Sequence, residues 1–369
     1  MAKGFDFGTM FLVSARKDKD GKTVINAERN CFLGVNTEFE DMLGSSEFSY
    51  IKDVEDGEEK FFVCGTDSLR LANLLQTNDS HGERKSPLRR PMANMVINSR
   101  TDKRAVKMLK YLAQAVIGPP KEKNEIAVVS IPANPLSGEF DNVFHSNMCK
   151  SFIEELGYEV HTINEARAVC YSSNPTTKDE NGVVLNMTGI GISFGSGGAN
   201  SCLVFKSSET SSFSIDKCGD WIDKHVASVC NKTTSEVTVY KEKVSKEGKL
   251  DLSVPFCDDD VINALCIYYK NMIDMVVRSF KDEFIKNGTQ FSYPLEVIIS
   301  GGSSKPKGFD IMVEKAIKEA HWPFEIKGVR RASDPLSATA VGCLTAAISR
   351  EKKLKKTEEK PEENENNEE

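Results

Sequence analysis

The chain has 369 residues, 39% of them apolar, which is enough for about two domains with real cores. Its 48 basic and 55 acidic residues give a formal charge of −7, which excludes action on nucleic acid by broad charge neutralisation. No apolar run approaches the roughly 20 residues that span a bilayer.

The N-terminal segment alternates. Phe5 and Phe7 flank Asp6, Gly8-Thr9 interrupt, and Met10 to Val13 resume the apolar pattern. This predicts two strands meeting at a small-residue turn. A third strand is expected at 23–28. Residues 30–90 are polar and irregular and read as an inserted subdomain, ending in a loop at 78–87. Ala105, Leu109, Leu112 and Val116 recur at spacings of three and four, so 102–117 is a helix, stopped by Gly118-Pro119-Pro120. A strand at 126–131, a helix at 142–157, a strand at 159–163 and a short helix at 165–171 follow. Residues 174–186 read as a polar loop.

Strand patterns then recur at 189–194, 201–205 and 212–215. Ile262, Leu265, Tyr269, Ile273, Val276, Phe280 and Phe284 mark a long helix over 258–287. A strand at 295–300 and helices at 307–320 and 335–350 complete the body. Residues 351–369 are charged and of low complexity and are expected to be disordered. Seven Glu and one Lys in 357–369 carry −6 of the charge, so the other residues are close to neutral. The ten Cys form no CxxC pair and the five His are unclustered. This points away from a zinc module or disulfide scaffold and toward reduced thiols in a cytoplasm, and the start has no signal-peptide stretch.

The hairpin opening at Gly4 and the one opening at Gly189 both bend at small residues, which suggests an internal duplication. Tight Gly and Ser/Thr turns expose backbone N–H groups to phosphate oxygens. Three occur: Asp6-Phe7-Gly8-Thr9, Gly195-Ser196-Gly197-Gly198, and Ser300-Gly301-Gly302-Ser303-Ser304. The third lies between a strand and a helix, where the dipole favours anions.

In order and spacing these turns resemble the actin, heat-shock chaperone and sugar kinase ATPase superfamily. Its two connecting helices have candidates at Ile163-Asn164-Glu165-Ala166-Arg167-Ala168 and at 334–342. Arg90-Pro91-Met92, 129–133 and Asp334-Pro335-Leu336 are most similar to rod-shape-determining and magnetosome-organising actins. The resemblance implies a duplicated α/β fold, each half a mixed five-stranded sheet flanked by helices, with a nucleotide cleft between. The halves are expected at 1–172, with an insert at about 30–90, and at 173–350, with one at about 217–290. The tail is 351–369.

The resemblance also implies ATP or another nucleoside triphosphate with Mg²⁺. Asp6 would hold the metal through waters. Gly8, Thr9 and Met10, with Gly195, Ser196, Gly197 and Gly198, would meet the phosphates. Glu165 would orient the attacking water. Gly301, Gly302 and Ser303 would pack on the nucleoside, and Gly219 and Asp220 would lie near the sugar. Lys243 would contact base or ribose, or else sit on a solvated helix face. Ala338, Ala340 and Gly342 read as helix-packing residues. One departure stands out: the second phosphate loop normally begins with Asp, and here it begins with Ser193. Tight binding with slow or absent hydrolysis is expected. The implied function is an ATP-dependent cytoskeletal filament that self-associates, with the tail as a possible adaptor dock. No direct nucleic-acid or membrane contact is expected. A non-polymerising nucleotide switch is the alternative, and a small-molecule kinase a more distant one.

Overall fold

The computed structural model describes residues 2–44, 50–75, 77–78, 84–85, 87–137, 142–254 and 256–358. Strand β1 (Lys3–Phe7) is buried along its whole length. It turns at Gly8-Thr9 into antiparallel β2 (Phe11–Lys17), with Asp6 opposite Val13, and β2 pairs antiparallel with β3 (Thr23–Arg29).

Residues 30–90 are more regular than their polarity suggests. β4 (Phe32–Asn36), β5 (Tyr50–Glu55) and β6 (Glu58–Cys64) form a sheet in the order β4-β6-β5, backed by helix α1 (Thr66–Leu74). Leu33, Val35, Phe61, Val63 and Leu71 make a separate small core there. Most of the loop expected over 78–87 lies outside the described residues.

Helix α2 (Ala105–Ile117) starts three residues later than predicted and ends on Gly118, whose φ of 67° suits glycine. Strand β7 (Ile126–Ile131) joins β1 in parallel. Helix α3 (Asn142–Glu154) leads to β8 (Glu159–Asn164), which pairs parallel with β7. The first sheet therefore runs β8-β7-β1-β2-β3. Helix α4 (Glu165–Ser173) follows directly. Part of the loop predicted at 174–186 is a short hairpin, Thr176–Lys178 with Val184–Asn186.

The second half repeats the plan. β9 (Gly189–Phe194), β10 (Ala199–Phe205) and β11 (Ser208–Ile215) form an antiparallel meander. Helices α5 (Gly219–Val229) and α6 (Thr234–Lys246), which the sequence did not predict, precede the long α7 (Asp260–Lys286). A reciprocal Thr233–Glu236 cap starts α6. Leu265, Tyr269, Met272, Ile273, Val276, Val277, Phe280 and Phe284 line one buried stripe of α7. Burying each such large side chain is worth roughly 1.5–3 kcal/mol. Strand β12 (Leu295–Ser300), helix α8 (Phe309–Ala320), strand β13 (Ile326–Arg331) and helix α9 (Ala338–Glu358) finish the chain. The second sheet runs β11-β10-β9-β12-β13. Its strand directions match those of the first, a meander with two parallel strands added beyond its first member.

The helix predicted to stop at 350 continues to Glu358, so the start of the expected disordered tail is helical. Alanines and the Glu351–Lys355 pair, four residues apart, carry the helix on. Residues 359–369 lie outside the described residues.

The two connecting helices are exchanged. α4 follows the first sheet but packs Ala166 and Cys170 against Cys202 and Val204 of the second. α9 follows the second sheet but packs Ala340, Cys343, Leu344 and Ala347 against Val13, Ala15, Ile126 and Val128 of the first. Glycine permits each approach. A Cβ on Gly4 would lie 2.2 Å from the Ala340 carbonyl oxygen, and one on Gly191 would lie 2.3 Å from that of Ala166. Where the helices cross, a Cβ on Gly342 would lie 1.8 Å from the Ala168 carbonyl oxygen. Ala340 and Gly342 are thus packing residues, as the sequence suggested, and Ala338 is buried at the start of the same helix.

Candidate functional site

The duplication brings the ends of β1 and β9 face to face. Both strands run into a small-residue turn, Asp6-Phe7-Gly8-Thr9 in one and Ser193-Phe194-Gly195-Ser196 in the other. The second turn is closed by the Gly195 amide on the Gly198 carbonyl, 2.9 Å. The third follows β12, where Gly301 has a φ of 89° and a Cβ would fall 2.1 Å from the Phe194 carbonyl oxygen. Ser303 Oγ donates to the Gly195 carbonyl at 2.7 Å, tying the third turn to the second.

All three turns open on one cavity of about 730 Å³, within the range of small-molecule sites. Of the residues singled out from sequence, Asp6, Gly8, Thr9, Met10, Glu165, Gly195, Ser196, Gly197, Gly198, Gly301, Gly302 and Ser303 line it. A Cβ on Gly302 would meet nothing within 4 Å, so that backbone faces open space.

Gly219, Asp220 and Lys243 do not line the cavity. Gly219 and Asp220 stand behind the second turn, where the Asp220 carboxylate accepts from Ser196 Oγ at 2.5 Å and from Arg90 at 2.6 Å. Burial opposes the Asp220 charge, but Arg90, Ser196 and Lys241 together more than offset it and lower the pKa. Lys243 is exposed. The face of α6 that meets the cavity carries Thr238, Lys241, Glu242, Ser245 and Lys246, at helical spacing that turns position 243 away. Glu242 also pairs with Arg29 of β3, so Arg29–Glu242 and Arg90–Asp220 both bridge the halves.

The cavity floor is acidic. Ser130 Oγ, from the parallel neighbour β7, donates to Asp6 Oδ1 at 2.6 Å. Glu165 is the first residue of α4, set there by Asn164, whose side chain caps the helix by accepting from the Arg167 amide. One Glu165 oxygen accepts from Ser193 Oγ at 2.6 Å and the other from Asn200 Nδ2 at 2.8 Å. Burial pushes the Asp6 pKa up against the pull of Ser130. Burial first, and then the Asp6 charge, pushes Glu165 up. Among the described residues neither carboxylate has an ion-pair partner. A cation would offset that arrangement, and magnesium is commonly held through one or two carboxylates with water and phosphate oxygens. The floor therefore suits it.

Ser130, Asn200 and the α6 residues escaped the sequence reading. Ser130 and Asn200 reach the floor through strand register, and the only available signal was their polarity inside buried strands.

The deepest charge beside the cavity is Asp223, fully buried, with Lys241 at 2.6 Å and Thr238 Oγ1 donating at 2.7 Å. Burial raises Asp223 and Lys241 pulls it back. Lys241→Met is expected to destabilise by about 3–5 kcal/mol, the usual cost of stranding one member of a buried pair. Without Lys241 the folded protein takes up a proton at Asp223 at higher pH than the unfolded chain does, so the loss shrinks as pH falls. Urea midpoints at pH 5 and pH 8 check this, and an equal loss at both would contradict it.

No curated protein matches the chain. Among solved structures, MamK as a double helical filament superposes with a TM-score of 0.61 at 13% identity, covering 95% of this chain and 98% of that one. MreB 5 of Spiroplasma citri bound to AMPPNP gives 0.59 at 13% identity, covering 96% and 98%. The ethanolamine utilization protein EutJ from Carboxydothermus hydrogenoformans gives 0.50 at 14% identity, covering 93% and 88%. The Volactin family profile matches residues 1–347. With that match over most of its length and its actin-like fold, the chain belongs to the Volactin family.

Proposed function

We propose that this chain binds a nucleoside triphosphate with Mg²⁺ in the cavity between its halves, assembles head to tail into filaments, and hydrolyses slowly. The observation that carries this reading is the convergence of three small-residue turns on one cavity with Asp6 and Glu165 on its floor. MamK forms a double helical filament and MreB 5 binds AMPPNP on the same fold, which motivates both parts.

Asp6 would hold the metal, and the turns at Gly8–Met10 and Gly195–Gly198 would offer their amides to phosphate oxygens. Bound magnesium supplies charge neutralisation at the phosphates. Glu165 orients water, while Gly301 and Gly302 leave room for the nucleoside. Gly219 and Asp220 support the second turn from behind, and Lys243 has no part. Ser193 brings no negative charge to the metal side, so turnover is slowed by roughly 10²-fold or more. Head-to-tail contacts are heterologous and generate open filaments, and a nearly neutral body lets copies approach. The setting is cytoplasmic, and the acidic end serves as a docking segment for an adaptor.

Sedimentation with Mg²⁺, with and without ATP, tests the reading. The protein is expected to pellet only with ATP and to release phosphate slowly. A monomer in both states would replace the filament by a nucleotide switch, the reading that Ser193 favours. Rapid phosphate release under the same conditions would remove the slow-hydrolysis part.

A further inference from the structure

The serine that stands in place of an acid has a task of its own. Ser193 and Asn200 are directly opposite each other on antiparallel β9 and β10. Both are buried, at 1% and 0% exposure. Their donors reach one oxygen each of the Glu165 carboxylate, at 2.6 and 2.8 Å. Resting on the nucleotide reading above, we infer that Ser193 and Asn200 are positioning residues that jointly fix the Glu165 carboxylate for work on water at the phosphate end of the cavity.

The direction of the Asn200 bond is set by its own amide. Asn200 Oδ1 accepts from the Ala133 amide at 2.9 Å, so its NH₂ group is turned to Glu165. Burying an amide costs free energy unless its groups are paired, and here both ends are. The Ser193 hydroxyl has another neighbour in Ser300, opposite it on parallel β12. Among the described residues, Ser300 Oγ is buried with no hydrogen-bond partner. Ser193 bonds to Glu165 instead and leaves Ser300 unpaired.

The corresponding place in the first half shows what the exchange achieves. There Ser130, matching Ser300 in register, donates to the carboxylate Asp6. An ionised Asp at 193 would accept from Ser300 in the same way, but it could not donate to Glu165. The serine loses a charge at the metal side and gains a fixed Glu165. Two neutral donors at one end of the carboxylate leave its remaining lone pairs for the cavity.

The test compares wild type with Ser193→Ala, Asn200→Ala, the double variant and Ser193→Thr. Affinity for Mg–ATP is read by titration with a fluorescent ATP analogue, and turnover by phosphate release under single-turnover conditions. Ser193→Ala is expected to lower turnover about 10-fold and the double variant about 100-fold, with affinity changed less than about twofold. Ser193→Thr, which keeps the hydroxyl, restores turnover to within about threefold. Crystal structures of wild type and the double variant without nucleotide are expected to show the Glu165 carboxylate displaced in the variant. Unchanged turnover in Ser193→Ala, affinity falling in step with turnover, or Glu165 unmoved in the double variant would each overturn the inference. If the Asn200 variants do not fold, Ser193→Ala against Ser193→Thr decides alone. If wild type binds no nucleotide, the proposed function falls, while the position of Glu165 in the two crystal structures still decides whether this pair holds it.

Discussion

Adding one carbon at Gly342 is expected to remove a large part of the protein's stability. Gly342→Ala places a Cβ 1.8 Å from the carbonyl oxygen and 2.4 Å from the carbonyl carbon of Ala168. Both are backbone atoms of a helix pinned in turn against the second sheet through Ala166 and Cys170. No rotamer change relieves the contact, so the two central helices must separate. Separation opens the Ala340–Leu344 face on one side and the Ala166–Cys170 face on the other. The expected loss reaches the roughly 4–5 kcal/mol extreme of single substitutions, against a total stability of only about 5–15 kcal/mol. Gly302→Ala is the matched control. Its Cβ meets nothing within 4 Å, so stability should stay within about 0.5 kcal/mol. Soluble yield and thermal melting check both. A Gly342→Ala protein that melts within a few degrees of wild type would show that the crossing is looser than its geometry implies.

The second large effect is a trade. Asp6→Asn removes one of two buried carboxylates that repel each other across the cavity floor, and Ser130 can still donate to the amide oxygen. The unliganded variant is expected to be more stable than wild type by about 1 kcal/mol or more, read as a melting midpoint higher by roughly 2 °C. Its affinity for Mg–ATP should fall at least ~100-fold, about 2.7 kcal/mol. The pH dependence has a definite sign. Asp6 and Glu165 titrate higher in the folded protein than their ordinary values near 4. The folded state therefore binds more protons above pH 4, and stability falls as pH rises through the raised values. Without Asp6, Glu165 is raised less, so the variant loses less stability between pH 5 and pH 8. Buried His145, lowered to about 4, acts in the opposite direction, but it is common to both proteins and cancels in the difference. Equal slopes, or an Asp6→Asn protein that binds Mg–ATP like wild type, would remove Asp6 from the role proposed for it.

Much of this architecture is legible in the chain because strong local patterns coincide with central elements. The strands at 126–131, 189–194 and 295–300 emerge with the bounds their apolar runs suggest. These are the interior parallel strands and the inner edge of the meander, where burial on both faces makes the pattern continuous. The three small-residue turns were equally clear, since their glycines are confined by contacts such as Gly301 against Phe194. Weaker signals failed for identifiable reasons. β13, Ile-Lys-Gly-Val-Arg-Arg, is an edge strand with no fully buried residue, so charge masks its periodicity. β4 to β6 bury their own small core, and their charged outer faces read as loop. Lys243 was left open between a base or ribose contact and a solvated helix face, and its helix turns Lys241 and Glu242 to the cavity instead. The Glu165 clamp could not be read locally, because Asn200 lies 35 residues away in sequence and meets it only through strand pairing.

The exchange of α4 and α9 bears on how such a chain could arise. A half-length ancestor with the same order of elements would end in a helix shaped to roof a sheet other than its own. Alone, it would leave that sheet bare. Two copies could each lend the helix to the other, as in domain swapping. In that light the doubled chain is a swapped pair made permanent by a peptide link. The cavity between its sheets would be the old boundary between two molecules, and the Gly342–Ala168 crossing the place where they were first locked together.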